Sequence, residues 1–565
     1  MNKKTAYIIV GILLLLIFIQ TTISMSKKSA TYDEIIHLSA GYSYLKTRDF
    51  RLNPEHPPLI KELSAIPLLL LNPYLPLDHP SWINATDKSQ VEFGKRFFYE
   101  YNPNPDQILF YGRIPIVLLS VLLGFFVFLF AKELYGAKAG LFALFLYAFS
   151  PNILAHSRLI TTDLGISCFL FLAVYSFWKF IKKPSVLYLF LTGFLVGLTF
   201  LSKFTGIYVI PILFILAFFA IHYKQKIRKS IFNLSIHFRK NSLLFYSLVL
   251  LIILIGFLVI PLFYFFHFSP YFGGLNKVIG HSKEGHIAFL MGEHSTTGWW
   301  YYFIVAFLIK TPIPMLIFVL LTFIFFKKIK HEETLNELFL LVPIIFIFAA
   351  FMFNRINIGL RHILPVYPFL FVFVSKLTNL KINKQKIFKI SFGILAIWYL
   401  LSSIFIFPHY LAYFNEFAGG PDNGYKYLID SNIDWGQDFE GLQEYIKKHN
   451  LQNITIGYFG REQPELRGIE YKQLKCYPTN GIIAVSVNIL QGLTKEFAQC
   501  TAWLRKYKPI DKIGYSIFIY NIKGINETEE EIIYCKSKCK RYCENAGFIY
   551  GSSYIQNNSY ECRCK

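Results

Sequence analysis

The sequence predicts a polytopic α-helical membrane protein of about 11 transmembrane helices, followed by a C-terminal extracytoplasmic α/β domain and a cysteine-rich tail. Three observations predict this fold class. Of the 565 residues, 54% are hydrophobic and 16% are charged, whereas soluble domains carry about a quarter charged residues. Long apolar runs recur up to residue 407. Seven of the eight cysteines lie in the last part of the chain.

The apolar runs place the membrane helices, since a span needs about 20 mainly apolar residues. The first run, 6–23, follows Lys3 and Lys4 and has the layout of a signal peptide. We expect an uncleaved anchor, because the run is long and no A-x-A cleavage site follows it. The other candidate spans are 114–130, 137–154, 164–181, 187–201, 206–222, 243–266, 301–326, 338–353, 364–374 and 387–407.

The basic residues predict how these spans are oriented. The formal net charge is +22, and most loop Lys and Arg residues cluster in alternate connections, at 132–138, near 182, at 224–239, at 327–331 and at 381–386. Such an excess is typical of cytoplasmic loops. We therefore expect a multi-pass protein of the plasma membrane with a cytoplasmic N-terminus and an extracytoplasmic C-terminal domain. A basic patch for nucleic acid is not indicated, so no nucleic-acid binding is expected.

The chain after the last span is expected to form separate units, which divides the protein into 1–407, 408–525 and 526–565. Between residues 408 and 525, short β-branched runs alternate with helix-like stretches, a pattern typical of a small α/β domain. The predicted strands are 454–458, 482–487 and 513–519, and the predicted helices are 439–448 and 494–507.

The cysteines indicate an oxidising compartment. Cys168 lies in an apolar span, and the others occupy the polar C-terminal part, at Cys476, Cys500, Cys535, Cys539, Cys543, Cys562 and Cys564. This density favours disulfides. The alternative is a metal site, although the C-x-x-x-C spacing of Cys535, Cys539 and Cys543 matches the usual zinc spacings poorly. An odd number of seven leaves one thiol unexplained.

The first connection outside the membrane opens with an acidic pair, Asp33 and Glu34, and His37 follows one helical turn after Glu34. Ionisable groups tied to membrane segments are costly and indicate function. The alternative for Asp33 is a helix N-cap, a common position for aspartate. The same connection continues with Glu55 and His56 before two prolines, and an apolar helix is expected over 59–71.

Three more outside connections hold candidate residues. The second one contains His156, Arg158 and Asp163, and Asp163 begins an apolar span, where an N-cap is again the alternative. The glycine-rich connection 285–302 is expected to be a mobile loop over the site, with His286, Glu293 and His294. In the connection 354–362, Arg361 could clamp a phosphate, or it could extend to the lipid headgroups.

Several motifs are missing from the sequence. It contains no P-loop, G-x-S-x-G, H-E-x-x-H or G-x-G-x-x-G. Their absence argues against an ATP-driven pump and an intramembrane zinc protease. A transporter stays open, but transporters place their charges near the middle of the membrane, and here the charges lie at the outer ends of the spans.

Together these motifs resemble the GT-C glycosyltransferases, in particular the family 39 protein O-mannosyltransferases and the aminoarabinose transferase-like enzymes. The resemblance is carried by Asp33-Glu34 after the first span, by Pro54-Glu55-His56-Pro57-Pro58-Leu59 and by Asp163. The stretches 285–302, 409–416 and 430–438 look like those of prokaryotic members. The resemblance covers roughly residues 1–520 and leaves out the cysteine-rich tail.

The resemblance implies a GT-C fold and an inverting transfer of sugar from a polyprenyl-phosphate donor to an acceptor hydroxyl on the outer membrane face. By matching position, Asp33 would be the general base, with Glu34 beside it and Asp163 as the second acidic residue. The donor phosphate would be bound by His56, Arg158, Arg361 and His362. His56 stands where the aminoarabinose transferases carry lysine, so more of the phosphate binding would fall to the arginines.

Further expectations concern cofactor and partners. No cofactor is required by the sequence, although Glu55 and Asp163 could ligate a divalent metal. The acceptor could be a protein, a lipid or a glycan, and the α/β domain is expected to help bind it. Two alternative functions stay open, a transporter or flippase for a lipid-linked substrate and a membrane scaffold whose tail binds a partner.

Overall fold

A computed structural model describes residues 2–86, 88–223, 242–329, 334–381 and 385–526, with short pieces at 230–231, 234–235, 529–530, 533–534, 538, 550–556 and 559–564. Up to residue 406 the described chain is almost entirely helical. Its helices are α1 (Lys3–Met25), α2 (Glu34–Thr47), α3 (Leu59–Ala65), α4 (Leu68–Leu71), α5 (Pro80–Ile83), α6 (Gln90–Lys95), α7 (Pro105–Tyr135), α8 (Ala137–Ala148), α9 (Pro151–His156), α10 (Thr162–Lys182), α11 (Val186–Ser202), α12 (Val209–Tyr223), α13 (Ser242–Phe263), α14 (Ser269–Glu284), α15 (Tyr302–Lys310), α16 (Ile313–Ile324), α17 (Thr334–Met352), α18 (Val366–Ser375) and α19 (Gln385–Ile406).

Each predicted apolar run corresponds to a helix or a helix pair. Within the described ranges, seven helices are long and apolar enough to cross a membrane, and α15 with α16 adds an eighth span that is bent by 110°. The three other runs form shorter apolar helices, Ala137–Ala148, Val186–Ser202 and Val366–Asn379. The chain is therefore a multi-pass membrane protein, as predicted.

Helix α10 lies at the centre of the helical unit. In the most apolar 18-residue stretch of α10, 94% is buried inside the protein. The corresponding share is 28% in the first span and 11% in α19. Its neighbours are α7, α11, α12, α17 and α18. A polar side chain at the start of α10 is thus held by the most enclosed of the seven membrane-length helices that the structure describes.

The bend between α15 and α16 has a local cause. Pro312 and Pro314 follow Lys310 closely, and a proline cannot continue the hydrogen bonding of the preceding helix. The buried Lys310 Nζ donates to the backbone oxygen of Leu411 at 2.7 Å and to that of Asn432. The bend is therefore tied to the chain that leads into the C-terminal domain.

The C-terminal part forms the predicted α/β domain. Its elements are α20 (Phe439–Lys448), β5 (Ile454–Gly457), β6 (Tyr471–Gln473), β7 (Gly481–Ser486), α21 (Val487–Gln491), α22 (Lys495–Cys500), β8 (Asp511–Ile513) and β9 (Ile517–Ile522). They build one sheet of order β6-β5-β7-β9-β8. β5 is parallel to β6 and β7, whereas β9 is antiparallel to β7 and β8. The short strands before it are β1 (Ser230–Ile231), β2 (Leu234–Ser235), β3 (Ala288–Leu290) and β4 (Glu293–Ser295).

One predicted strand is interrupted. The run 513–519 contains the end of β8, a turn at 514–516 and the start of β9 instead of a single strand. Gly514 and Tyr515 in the turn both take positive φ values, +60° and +65°. The predicted helix 494–507 likewise shortens to α22 and a 3-10 turn at Leu504–Lys506.

A disulfide joins Cys476 and Cys500 within the α/β domain, which confirms the expected bridge in this part of the chain. Cys168 is a buried free thiol. In the tail, Cys562 and Cys564 belong to β11 (Ser559–Cys564), which pairs with β10 (Tyr550–Gln556). Cys535, Cys539 and Cys543 lie outside the described residues, so their predicted bridging stays a prediction.

Candidate active site

Two carboxylates from distant parts of the chain meet on one guanidinium. Arg361 Nη1 donates to Asp33 Oδ2 at 3.2 Å, and Asp163 Oδ2 lies 3.8 Å from the same nitrogen. Asp33 precedes α2, Asp163 lies in the first turn of α10, and Arg361 lies in a 3-10 turn before α18. The structure thus brings together three residues that the sequence singled out separately.

Both aspartates are free of the capping role that was their alternative explanation. The side chain of Asp33 makes no capping hydrogen bond, although its backbone oxygen accepts from His37 N at 2.9 Å. At α10, Thr161 occupies the N-cap and Asp163 lies two residues further on. A carboxylate in the first helical turn is favoured by the helix dipole, so the position of Asp163 is favoured even though Asp163 is not the N-cap.

Lys203 completes the cluster and was missed by the sequence analysis. Its Nζ donates to Asp163 Oδ1 at 2.7 Å, and only 10% of its side chain is exposed. It follows α11 directly, at the break before α12. A lone lysine between two apolar runs was the available signal, because intramembrane cations are costly and rarely without function.

Arg361 is held in place by an aromatic ring as well as by the carboxylates. Its guanidinium carbon lies 4.2 Å from the ring centroid of Trp435, and its Nε is buried without a hydrogen-bond partner. Burial opposes the charge of Arg361, but Asp163 and Asp33 outweigh it and raise the pKa of the guanidinium. Arg361 therefore stays a cation, and part of its hydrogen-bonding capacity is unused.

Histidines line the same cluster in their neutral form. Burial, together with the cations Lys203 and Arg361, lowers the pKa of His362 well below its usual value. Burial with His37 and Lys203 does the same to the pKa of His56. Buried His362 Nε2 has no hydrogen-bond partner. Neutral imidazoles beside two cations are suited to donate hydrogen bonds to an anionic group without adding charge.

Glu34 lies beside Asp33 in sequence but belongs to a separate arrangement. It pairs with Arg113 through two bonds, Nε to Oε1 at 2.8 Å and Nη2 to Oε2 at 2.6 Å. Its oxygens also accept from the backbone nitrogens of Thr31 and Ile160, at 2.8 and 3.0 Å. Both side chains are fully buried. These four bonds use the whole acceptor capacity of the carboxylate, which indicates a structural role for Glu34.

Arg158 is enclosed and stands apart from the carboxylate cluster. It is completely buried, and none of its three side-chain nitrogens has a hydrogen-bond partner. Burial lowers its pKa to about 10, and the charged groups that act on it most strongly are Arg113, Glu34 and Asp438. Its neighbour His156 is equally buried, with a pKa lowered to about 3 by burial. That Arg158 binds the donor phosphate stays a prediction.

The two predicted metal ligands, Glu55 and Asp163, each have a lysine as a neighbour. Glu55 lies 3.6 Å from Lys277 of α14 and is half exposed. In the described part of the chain, no group of three or more His, Cys, Asp or Glu side chains is placed to hold a metal ion. Asp163 instead has two cations, Lys203 and Arg361, as its neighbours.

The loop 285–302 contributes one residue to the site. His286 lies near Arg361 and Asp430, and burial is the main cause that lowers its pKa. Glu293 is exposed in β4. His294 points elsewhere, since its Nε2 donates to the backbone oxygen of Gly492 at 2.5 Å. The hairpin of β3 and β4 therefore rests on the α/β domain, and His286 before it lies near Arg361.

The segment 430–438, here named the strap, joins the α/β domain to the helical unit. Trp435 O accepts from Tyr32 N at 2.8 Å, and Gln437 O accepts from Ser29 N at 3.1 Å. Asn432 Oδ1 accepts from Leu360 N at 3.0 Å, next to Arg361. The strap thus fixes the chain before Asp33 and the turn that carries Arg361 relative to one another.

Comparisons with known proteins agree with the resemblance read from the sequence. Residues 107–254 match the family model described as dolichyl-phosphate-mannose-protein mannosyltransferase. This segment includes Asp163 and Lys203. It confirms that the chain carries a segment of a glycosyltransferase family, as the sequence predicted. No curated protein matches the chain.

Solved structures of three membrane glycosyltransferases are also similar. ArnT from Cupriavidus metallidurans bound to undecaprenyl phosphate aligns over 92% of this chain and 98% of its own, with 11% identity and a TM-score of 0.48. The S. cerevisiae protein O-mannosyltransferase Pmt1-Pmt2 complex bound to the sugar donor aligns over 48% of this chain and 35% of its own, with 17% identity and a TM-score of 0.35. The Archaeoglobus fulgidus oligosaccharyltransferase aligns over 81% and 63%, with 13% identity and a TM-score of 0.46.

Proposed function

We propose that this chain, which carries a segment of a mannosyltransferase family at residues 107–254, transfers a sugar from a polyprenyl-phosphate donor to an acceptor hydroxyl with inversion at the anomeric carbon. The observation that carries the proposal is the cluster of Asp33, Asp163, Arg361 and Lys203. In this cluster a carboxylate can accept the proton of the acceptor hydroxyl, and two cations can stabilise the phosphate that leaves the donor. The proposed reaction requires both functions.

Asp33 is the general base of the proposed reaction. Its side chain is 22% exposed, whereas that of Asp163 is 1% exposed. Asp33 has one side-chain hydrogen bond, to Arg361, so one of its oxygens is available to an acceptor hydroxyl. The acceptor oxygen bonds to the anomeric carbon as its proton passes to Asp33. The bond from that carbon to the phosphate oxygen breaks, and the electron pair leaves with the phosphate.

The cations serve the leaving phosphate. Guanidinium matches the geometry of phosphate oxygens, and the ammonium of Lys203 adds a second positive charge. Asp163 holds both cations, which keeps them in position before the donor binds. His56 and His362, neutral at pH 7, would donate hydrogen bonds to the same phosphate. Such preorganised groups stabilise charge that develops on the leaving group.

The site is proposed to lie at the outer face of the plasma membrane, with the N-terminus in the cytoplasm. The charge bias of the connections supports this orientation, since Asp33, Asp163 and Arg361 all fall in connections that are poor in Lys and Arg clusters. Another buried ion pair, Lys376 with Glu337 at 3.0 Å, lies at the opposite ends of α17 and α18. Buried charges at helix ends, rather than along the middle of the membrane, favour the transferase over a flippase.

Asp33→Asn tests the proposal most directly. We expect the variant to lose about 100-fold or more of the transfer rate, because it removes the general base, while expression and folding stay normal. The measurement is the release of polyprenyl phosphate from a radiolabelled polyprenyl-phosphate mannose, with the full chain in lipid nanodiscs. Asp49→Asn is the matched control, since Asp49 lies in the same connection and pairs with Arg51.

Two outcomes would count against the assignment. Near-normal transfer by Asp33→Asn would remove Asp33 as the base. Movement of intact donor across the bilayer of a vesicle, with no release of polyprenyl phosphate, would favour the flippase instead.

A further inference from the structure

The edge of the α/β domain at the carboxyl ends of β5 and β7 faces the chain between α1 and α2. After β5 the chain runs to β6 on one side of the sheet, and after β7 it runs to β8 and β9 on the other. β5 and β7 are neighbouring parallel strands. In open α/β sheets such a divergence leaves a crevice at the carboxyl ends of the two strands, where ligands bind.

The strap fills one part of this crevice. Asn488, which follows β7, donates from its Nδ2 to Asp434 O at 2.8 Å, and its backbone nitrogen donates to Asp434 Oδ2 at 3.1 Å. Tyr458, which follows β5, donates from its hydroxyl to Gly436 O at 2.5 Å. The deep part of the crevice therefore holds the domain to the helical unit, and the segment 459–461 remains at its rim.

The rim carries a stack built from both units. The ring of Tyr32 lies parallel to that of Phe459, with centroids 5.4 Å apart and an angle of 8°. The guanidinium carbon of Arg461 lies 3.6 Å from the centroid of Tyr32. Tyr32 directly precedes Asp33, so their Cα atoms are about 3.8 Å apart. The stack thus begins one residue away from the proposed base.

Arg461 has no polar partner. Among the described residues it makes no hydrogen bond and no ion pair, and its Nε is buried and unsatisfied. Burial lowers its pKa to about 10, so it is a cation at pH 7. The neighbouring carboxylate, Glu462, pairs with Arg467 instead, at 3.2 Å. Arg467 also pairs with Asp106 at 2.7 Å. Arg467 anchors the same segment to the start of α7.

We infer that the rim of Tyr32, Phe459 and Arg461 is the acceptor subsite, and that it takes an acceptor with an anionic group, a carboxylate or a phosphate, close to the reacting hydroxyl. The inference rests on the proposed function. A partly desolvated guanidinium without a partner is costly, and an anion satisfies it. The aromatic rings offer a flat apolar surface to a sugar ring or an acyl-glycerol backbone.

Binding of two matched probes tests the subsite. Octyl glucuronide and octyl glucoside differ only by the carboxylate, and each is titrated calorimetrically, below its micellar concentration, into the full chain in nanodiscs. We expect the native protein to bind the glucuronide about tenfold more tightly, as one charged hydrogen bond allows. Arg461→Gln should abolish this preference and Arg461→Lys should keep part of it. Lys448→Gln, an exposed charge of the same domain, should change nothing.

Two results would overturn the inference: equal binding of both probes by the native protein, or a preference that persists in Arg461→Gln. Nanodiscs that contain phosphatidylglycerol, compared with pure phosphatidylcholine, identify the source of the anion. Competition with the glucuronide supports a lipid headgroup, and its absence supports an acidic glycan or peptide.

Donor turnover separates this inference from the proposed function. Without acceptor, water can take the sugar, and polyprenyl phosphate then forms in the bilayer. Lys448→Gln should carry out this hydrolysis at the native rate, while Asp33→Asn should not. If the native chain turns over no donor, the proposed function fails, whereas the binding preference is unaffected. If the donor is turned over and Arg461→Gln binds both probes as the native protein does, only the acceptor subsite fails.

Discussion

At the scale of single residues, adjacent carboxylates acquire different roles from their partners. Asp33 and Glu34 are neighbours in sequence, and either could serve as a base by residue type. Glu34 is fully buried and accepts four hydrogen bonds, two from Arg113 and two from backbone nitrogens. Asp33 has one partner and is partly exposed. The proposed difference in role therefore follows from how many lone pairs of each carboxylate the fold leaves unused.

Glu34→Gln should therefore act on stability more than on chemistry. The change leaves the buried Arg113 without its counter-charge, which typically costs about 3–5 kcal/mol. We expect a strongly lowered melting temperature in detergent, measured by differential scanning fluorimetry. The double variant Glu34→Gln with Arg113→Met should recover part of that loss. A fully stable but inactive Glu34→Gln protein would instead assign Glu34 to catalysis.

Lys203 gives a second test at this scale. Lys203→Met should lower transfer by about 100-fold or more, since it removes a charge proposed to stabilise the leaving phosphate. It should also destabilise the fold, because the buried Asp163 keeps only the more distant Arg361 as a counter-charge. Adding Asp163→Asn should restore much of the melting temperature and none of the activity. Donor turnover and thermal unfolding measure the two effects separately. Normal turnover by Lys203→Met would remove this residue from the phosphate site.

At the scale of elements, the strap and the α/β domain decide where the site residues stand. The strap bonds to the chain before Asp33 through Tyr32 and Ser29, and to the turn before Arg361 through Asn432. It also supplies Trp435 as the surface under Arg361. The stretch 430–438 was noted from the sequence only as part of the resemblance, because its value lies in backbone bonds that no side-chain pattern reveals.

The disulfide makes a prediction about the same domain. Cys476 and Cys500 are 24 residues apart, and a bridge over such a loop contributes about 3 kcal/mol. We expect reduction with dithiothreitol to lower the melting temperature of the α/β domain by about 10 °C or more. Limited proteolysis should then cut between residues 474 and 510. Cys168→Ser is the control, because that thiol is free. If protease resistance is unchanged after reduction, the disulfide does not stabilise the domain.

At the scale of the whole molecule, the sequence predicts the helical unit and the α/β domain better than it predicts the contacts between them. Run length and charge bias give the helical unit, the alternating pattern gives the α/β domain, and both are confirmed. Asp33, Asp163 and Arg361 were found as ionisable groups at the outer ends of spans. Lys203 was overlooked because the break between α11 and α12 reads as a short, uninformative connection. The proposed role of Arg461 could not be predicted from the sequence, since it depends on the contact with Tyr32, more than 400 residues earlier in the chain.

The bonds between the strap and the chain before Asp33 also have a consequence for biosynthesis. Ser29 and Tyr32 emerge early from the ribosome, and their partners Gln437 and Trp435 follow some 400 residues later. Until those partners have been synthesised, Arg361 lacks the ring beneath it and the connection between α1 and α2 lacks its anchor. The arrangement of Asp33 and Arg361 is therefore completed late, after the segment 430–438 has been made and has folded against the helical unit.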